Sequence, residues 1–301
     1  MRYIKDFEKT YTPDTQKNQT QKGTLYLVGT PIGNLSDISE RALKVLSEVD
    51  FIAAEDTRNS MRLLSAFGIH KELVSYYEHN KKSSGERIIA RLLGGESCAL
   101  VTDAGMPAIS DPGEDIVRLA ADAGVTVSVI PGASAAISAL ALSALATSRF
   151  AFEGFLPAVK GDRRKRLDAV KGEARTMIFY EAPHKLKATL ADMATTFGED
   201  RKISLCRELT KLNEEIIRTT LGGAVRLYNE KEPRGEYVLV LEGAEEAGCP
   251  VGTSENPLLS LSPREHVEKY IADGMSKMDA IKATAKERGV PKSEIYDLMI
   301  D

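Results

Sequence analysis

A chain of 301 residues, 43% hydrophobic and 28% charged, has the length of two domains and the composition of an ordinary globular protein. Its formal charge of −4 argues against indiscriminate nucleic-acid binding, which draws on clustered Lys and Arg. Three scattered cysteines, Cys98, Cys206 and Cys249, form neither a disulfide framework nor a metal-ligand spacing, and no apolar signal-peptide core stands at the start, so a cytoplasmic protein without a metal is expected. Residues 1–22 are polar and aperiodic and read as a disordered tail. Residues 25–28 read as a strand, 38–49 as an amphipathic helix, 51–54 as a strand, 59–67 as a helix and 73–77 as a strand. A helix over 85–93, a strand over 98–101, a helix over 113–123 and a strand over 125–130 follow, and single helices between strands imply parallel pairing. The Ala-rich stretch 133–146 is too short and too polar to span a bilayer and reads as a buried helix, with no membrane partner expected. Strands over 150–155, 176–180, 202–207 and 237–242, with a helix over 183–197, make a second half of different character. A linker at 248–257 precedes helices over 263–273, 276–288 and 291–300, broken at Gly274 and Gly289 like a helix-turn-helix unit. The expected organisation is an α/β domain over 23–133, a second α/β domain over 134–247 and a helical segment over 255–301.

Segment 102–113, TDAGMPAISDPG, holds two Gly, two Pro and two Asp directly after a strand. That composition cannot continue a strand or a helix; it makes a rigid loop at the carboxyl end of a strand, where open α/β sheets bind ligands. A similar junction at 127–136, VSVIPGASAA, is expected to face it across one cleft. VGTPIGNL (28–35) lies where a nucleotide loop would sit, but it is neither the dinucleotide fingerprint nor a phosphate-cradling loop, and a structural turn explains it equally well. PGASA places Ser134 between strand and helix like a nucleophile elbow that lacks its closing Gly; a helix cap is favoured over a hydrolase nucleophile, for which only His184 and His266 are partners. Glu55, Asp56 and Arg58 end another strand, as a base, a cation site or a helix-start charge cluster. Glu181 and His184 end a third, and Arg207–Lys211 is a site rim or a solvated loop. Six of the twelve residues 160–171 are basic, among them Arg163, Arg164 and Arg166; with Lys185 and Lys187 they are expected to form a basic wall for RNA, the alternative being a solvated surface.

Taken in order, VGTPIGNL (28–35), AAEDTR (53–58), TDAGMPAISDPG (102–113), PGASA (131–135), FEGFLP (152–157), FYEAPH (179–184), RELTK (207–211) and GEYVLVLEG (235–243) resemble the tetrapyrrole methylase superfamily. Within it they are similar to the branch that methylates a cytidine 2′-hydroxyl in small-subunit (16S) ribosomal RNA. The resemblance implies two α/β domains with S-adenosylmethionine in the cleft between them, a homodimer, and small-subunit rRNA or the assembled small ribosomal subunit as partner. It implies cofactor contacts at Asp103, Ala104, Gly105, Pro107, Ser134, Ala135, Phe179 and Tyr180. Glu55, Asp56 and Glu181 are the candidate bases, and Arg58, Arg163, Arg164, Arg166 and Lys185 the candidate RNA contacts. The chain departs from the family at Lys185, where Arg is usual, at Met106, where Thr is common, and at Ala144, where Gly is frequent. The alternatives are methylation of a small tetrapyrrole, a serine hydrolase using Ser134, and a nucleic-acid-binding regulator built on the C-terminal helices.

Overall fold

The computed structural model describes residues 19–244, 258 and 261–299; the expected tail over 1–18 and the linker over 248–257 lie outside the described residues. The described residues through Gly243 belong to one compact unit and those from Ala244 to a second. In the first unit, β1 (Thr24–Val28), β2 (Phe51–Ala54), β3 (Glu72–Ser75), β4 (Cys98–Val101) and β5 (Thr126–Ile130) form a wholly parallel sheet of order β3-β2-β4-β1-β5. Strands β2 and β4 are buried along their whole length because helices cover both faces. Helices α1 (Glu40–Glu48) and α2 (Thr57–Ala66) close one face, where Val45, Leu46 and Leu64 meet Tyr26, Ile52 and Ala99. Helices α3 (Lys81–Leu93) and α4 (Gly113–Asp122) close the other, where Ile88, Leu92 and Ile116 meet Leu25, Phe51 and Leu100. Neighbouring residues such as Leu25 and Tyr26 thus serve opposite cores, the period-two alternation of a strand.

The connection leaving β1 runs toward β2, whereas the one leaving β4 runs toward β5, on opposite sides of the sheet order. Adjacent strands whose connections diverge open a crevice at their carboxyl ends. Here that crevice is locked in shape. Thr30 and Gly105 exchange two backbone hydrogen bonds (2.9 and 3.1 Å), and the Thr30 hydroxyl donates to the Thr102 carbonyl at 3.2 Å. The Gly29 N–H donates to the Ile130 carbonyl at 3.1 Å. Gly29 and Gly132 pass so closely that a Cβ on either would lie 2.7–2.8 Å from the other's Cα.

The second sheet follows α5 (Ala135–Leu142) and comprises β6 (Phe150–Phe155), β7 (Thr176–Glu181), β8 (Lys202–Arg207), β9 (Glu215–Thr220) and β10 (Tyr237–Leu241) in the order β6-β7-β10-β8-β9. Only β6 and β7 pair in parallel; β10 inserts antiparallel between β7 and β8, and β8 and β9 are directly connected antiparallel neighbours. The parallel pairing read from the alternation of elements therefore describes the first sheet and not most of the second. Helices α6 (Lys160–Ala169), α7 (Pro183–Phe197) and α8 (Leu221–Glu230) cover one face through Leu167, Leu186, Leu190 and Tyr228. The opposite face packs Ile178, Cys206, Val238 and Val240 against Ala136, Ala139 and Leu140 of α5, with Ile32 from the first sheet's loop at its edge. The sequence reading left β9 and α8 unassigned, because β9 is a partly exposed edge strand and α8 begins Leu-Gly-Gly, a poor helix signal. Ala144 stands at φ 59°, a left-handed conformation that favours glycine.

In the second unit, α9 (Pro263–Ala272), α10 (Lys277–Arg288) and α11 (Lys292–Asp297) enclose Val267, Ala280, Ile281, Ala285 and Ile295. Ser262 and Glu265 form a reciprocal capping box, and Gly289 ends α10 at φ 65°. His266 is fully buried here, between the Arg288 guanidinium (3.2 Å) and the Glu287 carboxylate (3.2 Å). No helix among the described residues is long and apolar enough to cross a membrane.

If the Gly29–Gly132 contact fixes the crevice, Gly132→Ala should lower unfolding stability by about 1–3 kcal/mol, the usual cost of overpacking. Gly161→Ala, whose Cβ would meet open space in α6, should leave it unchanged or slightly higher; urea unfolding of the two variants checks this.

Candidate active site

A cleft of about 330 Å³ lies where the loops of the first sheet meet the second sheet, within the size range of small-molecule sites. One wall is the loop after β4, contributing Asp103, Ala104, Gly105, Met106, Ile109 and Ser110. Asp111 organises that loop: its carboxylate accepts from the backbone N–H groups of Ala108 (3.0 Å), Ile109 (3.1 Å) and Gly113 (2.7 Å). Ala108 and Ser110 are held at φ 68° and 64°, and Glu208 and Thr210 on the facing loop at φ 52° and 65°. Non-glycine residues in this conformation persist where their surroundings over-determine them, and ligand clamps are where they gather.

The halves touch across the cleft at two glycines. A Cβ on Gly33 would meet the stem of Lys211, and one on Gly154 would lie 2.9 Å from the Ser110 hydroxyl. Lys211 donates from Nζ to Glu208 (2.9 Å) and Glu236 (2.8 Å). Burial alone would pull the ammonium down, but those two carboxylates hold it above the ordinary lysine value. Tyr180 lines the cleft with Phe152 edge-on at 5.1 Å and Phe155 tilted at 5.4 Å, and Phe155 is 59% exposed at the lip. The result is an aromatic shelf beside a lining of five carboxylates (Glu55, Asp103, Asp111, Glu208, Glu236) and a single lysine.

The structure brings together Glu55, Asp103, Ala104, Gly105, Ser134, Ala135 and Tyr180 at this cleft. Glu55 accepts from the Thr102 hydroxyl at 3.0 Å; burial, aided by the charges of Asp103, Asp111 and Asp56, pushes its carboxyl above the usual range. Asp103 is exposed and accepts from the Asn59 amide at 3.1 Å. Ser134 stands at the N-cap of α5, but its side chain makes no cap hydrogen bond and lines the cleft instead. No histidine lines the cleft: His184 is an exposed residue of α7, and His266 belongs to the other compact unit.

Four predicted residues sit elsewhere. Pro107 is buried beneath the loop, outside the lining. Phe179 alternates with Tyr180 and packs into the core behind the sheet. Asp56 caps α2, accepting from the Arg58 N–H at 2.8 Å and pairing with the Arg58 side chain at 3.2 Å; those hydrogen bonds hold its carboxyl below the usual range. Glu181 is buried, accepting from the Thr189 hydroxyl (2.5 Å) and the Ala182 N–H (2.8 Å). The 207–211 segment, read from the sequence as a site rim or a solvated loop, lies at the cleft through Glu208 and Lys211. Phe155 and Glu236 line it as well, and Glu236 becomes visible only once the sheets are placed.

A parallel sheet with a switch-point crevice, joined to a mixed sheet and sharing a cleft with it, is an architecture that binds a small molecule at the carboxyl ends of its strands. Residues 24–225 match the family described as Tetrapyrrole (Corrin/Porphyrin) Methylases. The chain is 50% identical to Ribosomal RNA small subunit methyltransferase I of Halalkalibacterium halodurans over 95% of this chain and 98% of that one. It is 48% identical to the Bacillus subtilis protein of the same name over 93% and 94%. Among solved structures, diphthine synthase superposes with a TM-score of 0.56 at 16% identity, covering 73% of this chain and 90% of that one. Cobalt precorrin-4 methyltransferase gives 0.55 at 17%, covering 73% and 95%; both likenesses concern the fold alone. The chain belongs to the tetrapyrrole methylase family, in the branch of the ribosomal RNA small subunit methyltransferases I. The cofactor of this family is S-adenosylmethionine.

The basic run needs a correction. Arg163 does not face solvent: it is 6% exposed, with Nε and Nη2 on Asp192 Oδ2 (2.9 and 2.6 Å) and Nη1 on the Ala158 carbonyl (3.2 Å). Arg164 donates to the other Asp192 oxygen at 2.8 Å, Arg166 pairs with Glu153 at 2.5 Å, and Lys187 pairs with Glu232 at 2.5 Å. Arg58 and the partly exposed Lys185 are surface residues outside the cleft lining. Helical spacing explains the error: within a run of basic residues, the one at the inward position of α6 is taken by a buried acid on α7. Burial alone would raise the Asp192 carboxyl, but the hydrogen bonds from Arg164 and Arg163 hold it below its ordinary value. Its contribution to stability is therefore intact at neutral pH and is lost as the pH falls through that depressed value. Arg163→Ala should cost about 3 kcal/mol, toward the low end for a broken buried pair because Arg164 remains, whereas Lys165→Ala, whose pair with Asp162 is exposed on both sides, should cost under about 1 kcal/mol. Denaturant unfolding at neutral pH measures both.

Proposed function

We propose that this protein transfers a methyl group from S-adenosylmethionine to the 2′-hydroxyl of a cytidine in small-subunit ribosomal RNA. The carrying observation is the cleft itself: an acidic lining beside an aromatic shelf, in a chain half identical to proteins named for this ribosomal RNA. The residues present fit the cofactor. A sulfonium and an ammonium suit a lining of five carboxylates and one lysine, and the Tyr180–Phe155 shelf suits a purine. Bound there, S-adenosylmethionine supplies an electrophilic methyl group. Asp103, Ser134 and the backbone polar groups of Ala104 hold and orient it, and the Thr30–Gly105 bonds keep that wall from moving.

Glu55 is the proposed proton acceptor. Its raised carboxyl is nearer to neutral pH than an ordinary one, which suits a general base. Thr102 fixes one oxygen and leaves the other free to receive a proton. Asp56 and Glu181 are committed to a cap and to a buried hydrogen-bond pair, so neither is proposed as base. The small-tetrapyrrole reading is disfavoured by the names of the near relatives, and the hydrolase reading by the absence of a histidine at Ser134.

A homodimer is also proposed. Helix α5 is apolar at every position but Ser138, yet only one side, Ala136, Ala139 and Leu140, meets the second sheet. Ile137 and Leu142 on its free side, with Val129 on edge strand β5, are exposed, and so apolar a helix calls for a cover that a second copy supplies.

Two outcomes test these readings. Asp103→Ala should weaken S-adenosylmethionine binding at least tenfold by calorimetry. Glu55→Gln should keep binding within a few-fold but lower methyl transfer by about 10²–10⁴-fold. The wild-type rate should fall as pH drops through the raised Glu55 value, and that limb should vanish in the Gln variant; an unchanged limb removes Glu55 as base. Sedimentation should give a dimer for the wild type and a monomer for Ile137→Lys.

A further inference from the structure

A second cavity, of about 510 Å³, lies behind the cleft wall formed by Glu208 and Tyr237, which line both spaces. Its charge is the reverse of the cleft's. Arg207, Lys231 and Arg234 line it, with Glu208 and Glu232 as the acids. Both acids are neutralised from outside the cavity: Glu208 by Lys211 (2.9 Å) and the Glu236 N–H (2.9 Å), Glu232 by Lys187 (2.5 Å). The cations are under-compensated. Arg207 (3.0 Å) and Lys231 (3.4 Å) share the single carboxylate of Glu215, and the exposed Arg234 guanidinium has no side-chain partner among the described residues.

The dividing wall is built, not incidental. Glu208 is held at φ 52°, and its side chain lies over Gly235, where a Cβ would come within 2.5 Å of it. The Tyr237 hydroxyl accepts from the Arg234 N–H at 3.3 Å, which fixes the loop that carries the unpartnered guanidinium. A cation-favouring space and an anion-favouring space are thereby set one side chain apart. Among substrates of this enzyme class, a polynucleotide is the kind that needs both, since each ribose carries a phosphate a few bonds away.

We infer that the cavity lined by Arg207, Lys231 and Arg234 binds a backbone phosphodiester next to the ribose presented to the cleft. The inference rests on the RNA methyltransferase reading above. Arg234 and Lys231 supply the phosphate contact, while Arg207, tied to Glu215, anchors the site. The chemistry is a phosphate oxyanion, available from the RNA backbone or as free inorganic phosphate, and the assignment here is to RNA.

The test measures binding of small-subunit rRNA to wild type, Arg234→Ala, Lys231→Ala and Arg234→Lys across a range of salt concentrations. S-adenosylmethionine affinity is measured in parallel by calorimetry. Each Ala variant should weaken RNA binding several-fold and flatten the log-log salt slope by about one unit, and Arg234→Lys should restore most of the slope. Cofactor affinity should not move. An unchanged slope in both Ala variants, with wild type still binding RNA, overturns this inference alone. Inorganic phosphate that binds in an Arg234-dependent way while the RNA slope stays unchanged assigns the cavity to a free anion and also overturns it. Wild type that binds the cofactor but no rRNA overturns the function proposed above and this inference with it.

Discussion

The site depends on one steric condition: two glycines passing with no room for a methyl group between them. Gly29 and Gly132 let the loops after β1 and β5 lie backbone to backbone, and the Thr30–Gly105 bonds tie the loop after β4 to the same point. Three strand ends are thereby fused into one rigid wall at the switch point of a parallel sheet. A protein that aligns a hydroxyl with a methyl group gains most from walls that do not yield, because misplacement by an ångström costs orders of magnitude in rate. Four of the five left-handed non-glycine residues stand on the loops that form this wall and the one facing it, at 108, 110, 208 and 210; the Asp111 carboxylate holds Ala108, and Lys211 and the Glu236 N–H hold Glu208. Strain of this kind is affordable only on a rigid base.

Electrostatics divides the labour that geometry sets up. A chain with a formal charge of −4 places five carboxylates in the cleft and an under-compensated set of cations behind the Glu208–Tyr237 wall. Coulomb interactions this close are weakly screened, so each space keeps its own preference at physiological salt. The basic surface of α6 is less available than its composition suggests, because Arg163, Arg164 and Arg166 are already bonded to Asp192 and Glu153. Net charge and local charge density are both poor guides here; the count of uncompensated groups is the informative quantity.

Much of the first half was legible in the sequence because its signals are local. Apolar runs of four residues between polar or glycine neighbours marked β1, β2 and β4, and the loop at 102–113 announced itself by composition alone. Phe179 was placed on the wrong side because a motif assigns neighbouring residues to one site, whereas a strand sends them to opposite faces. Arg163 was misread for the matching reason on a helix. The β9–α8 segment escaped because edge strands and Gly-rich helix starts weaken both periodicities at once. Glu236 and the partnering of Lys211 needed the antiparallel insertion of β10, a pairing between distant segments that no local pattern encodes.

The solved structures that share this fold at 16–17% identity carry different names, so the paired sheets alone do not define a substrate. At the rim of this chain's cleft stand Phe155 at the lip, Lys211 across Gly33 and Ser110 against Gly154, with Arg234 behind the wall. Ala144 shows how loosely the remainder is constrained, since an alanine is tolerated there at a left-handed position that favours glycine. A strain of about 1–2 kcal/mol in a connecting loop is absorbed by the cores on either side, whereas a single methyl group at Gly132 would act on the wall that all three strand ends share.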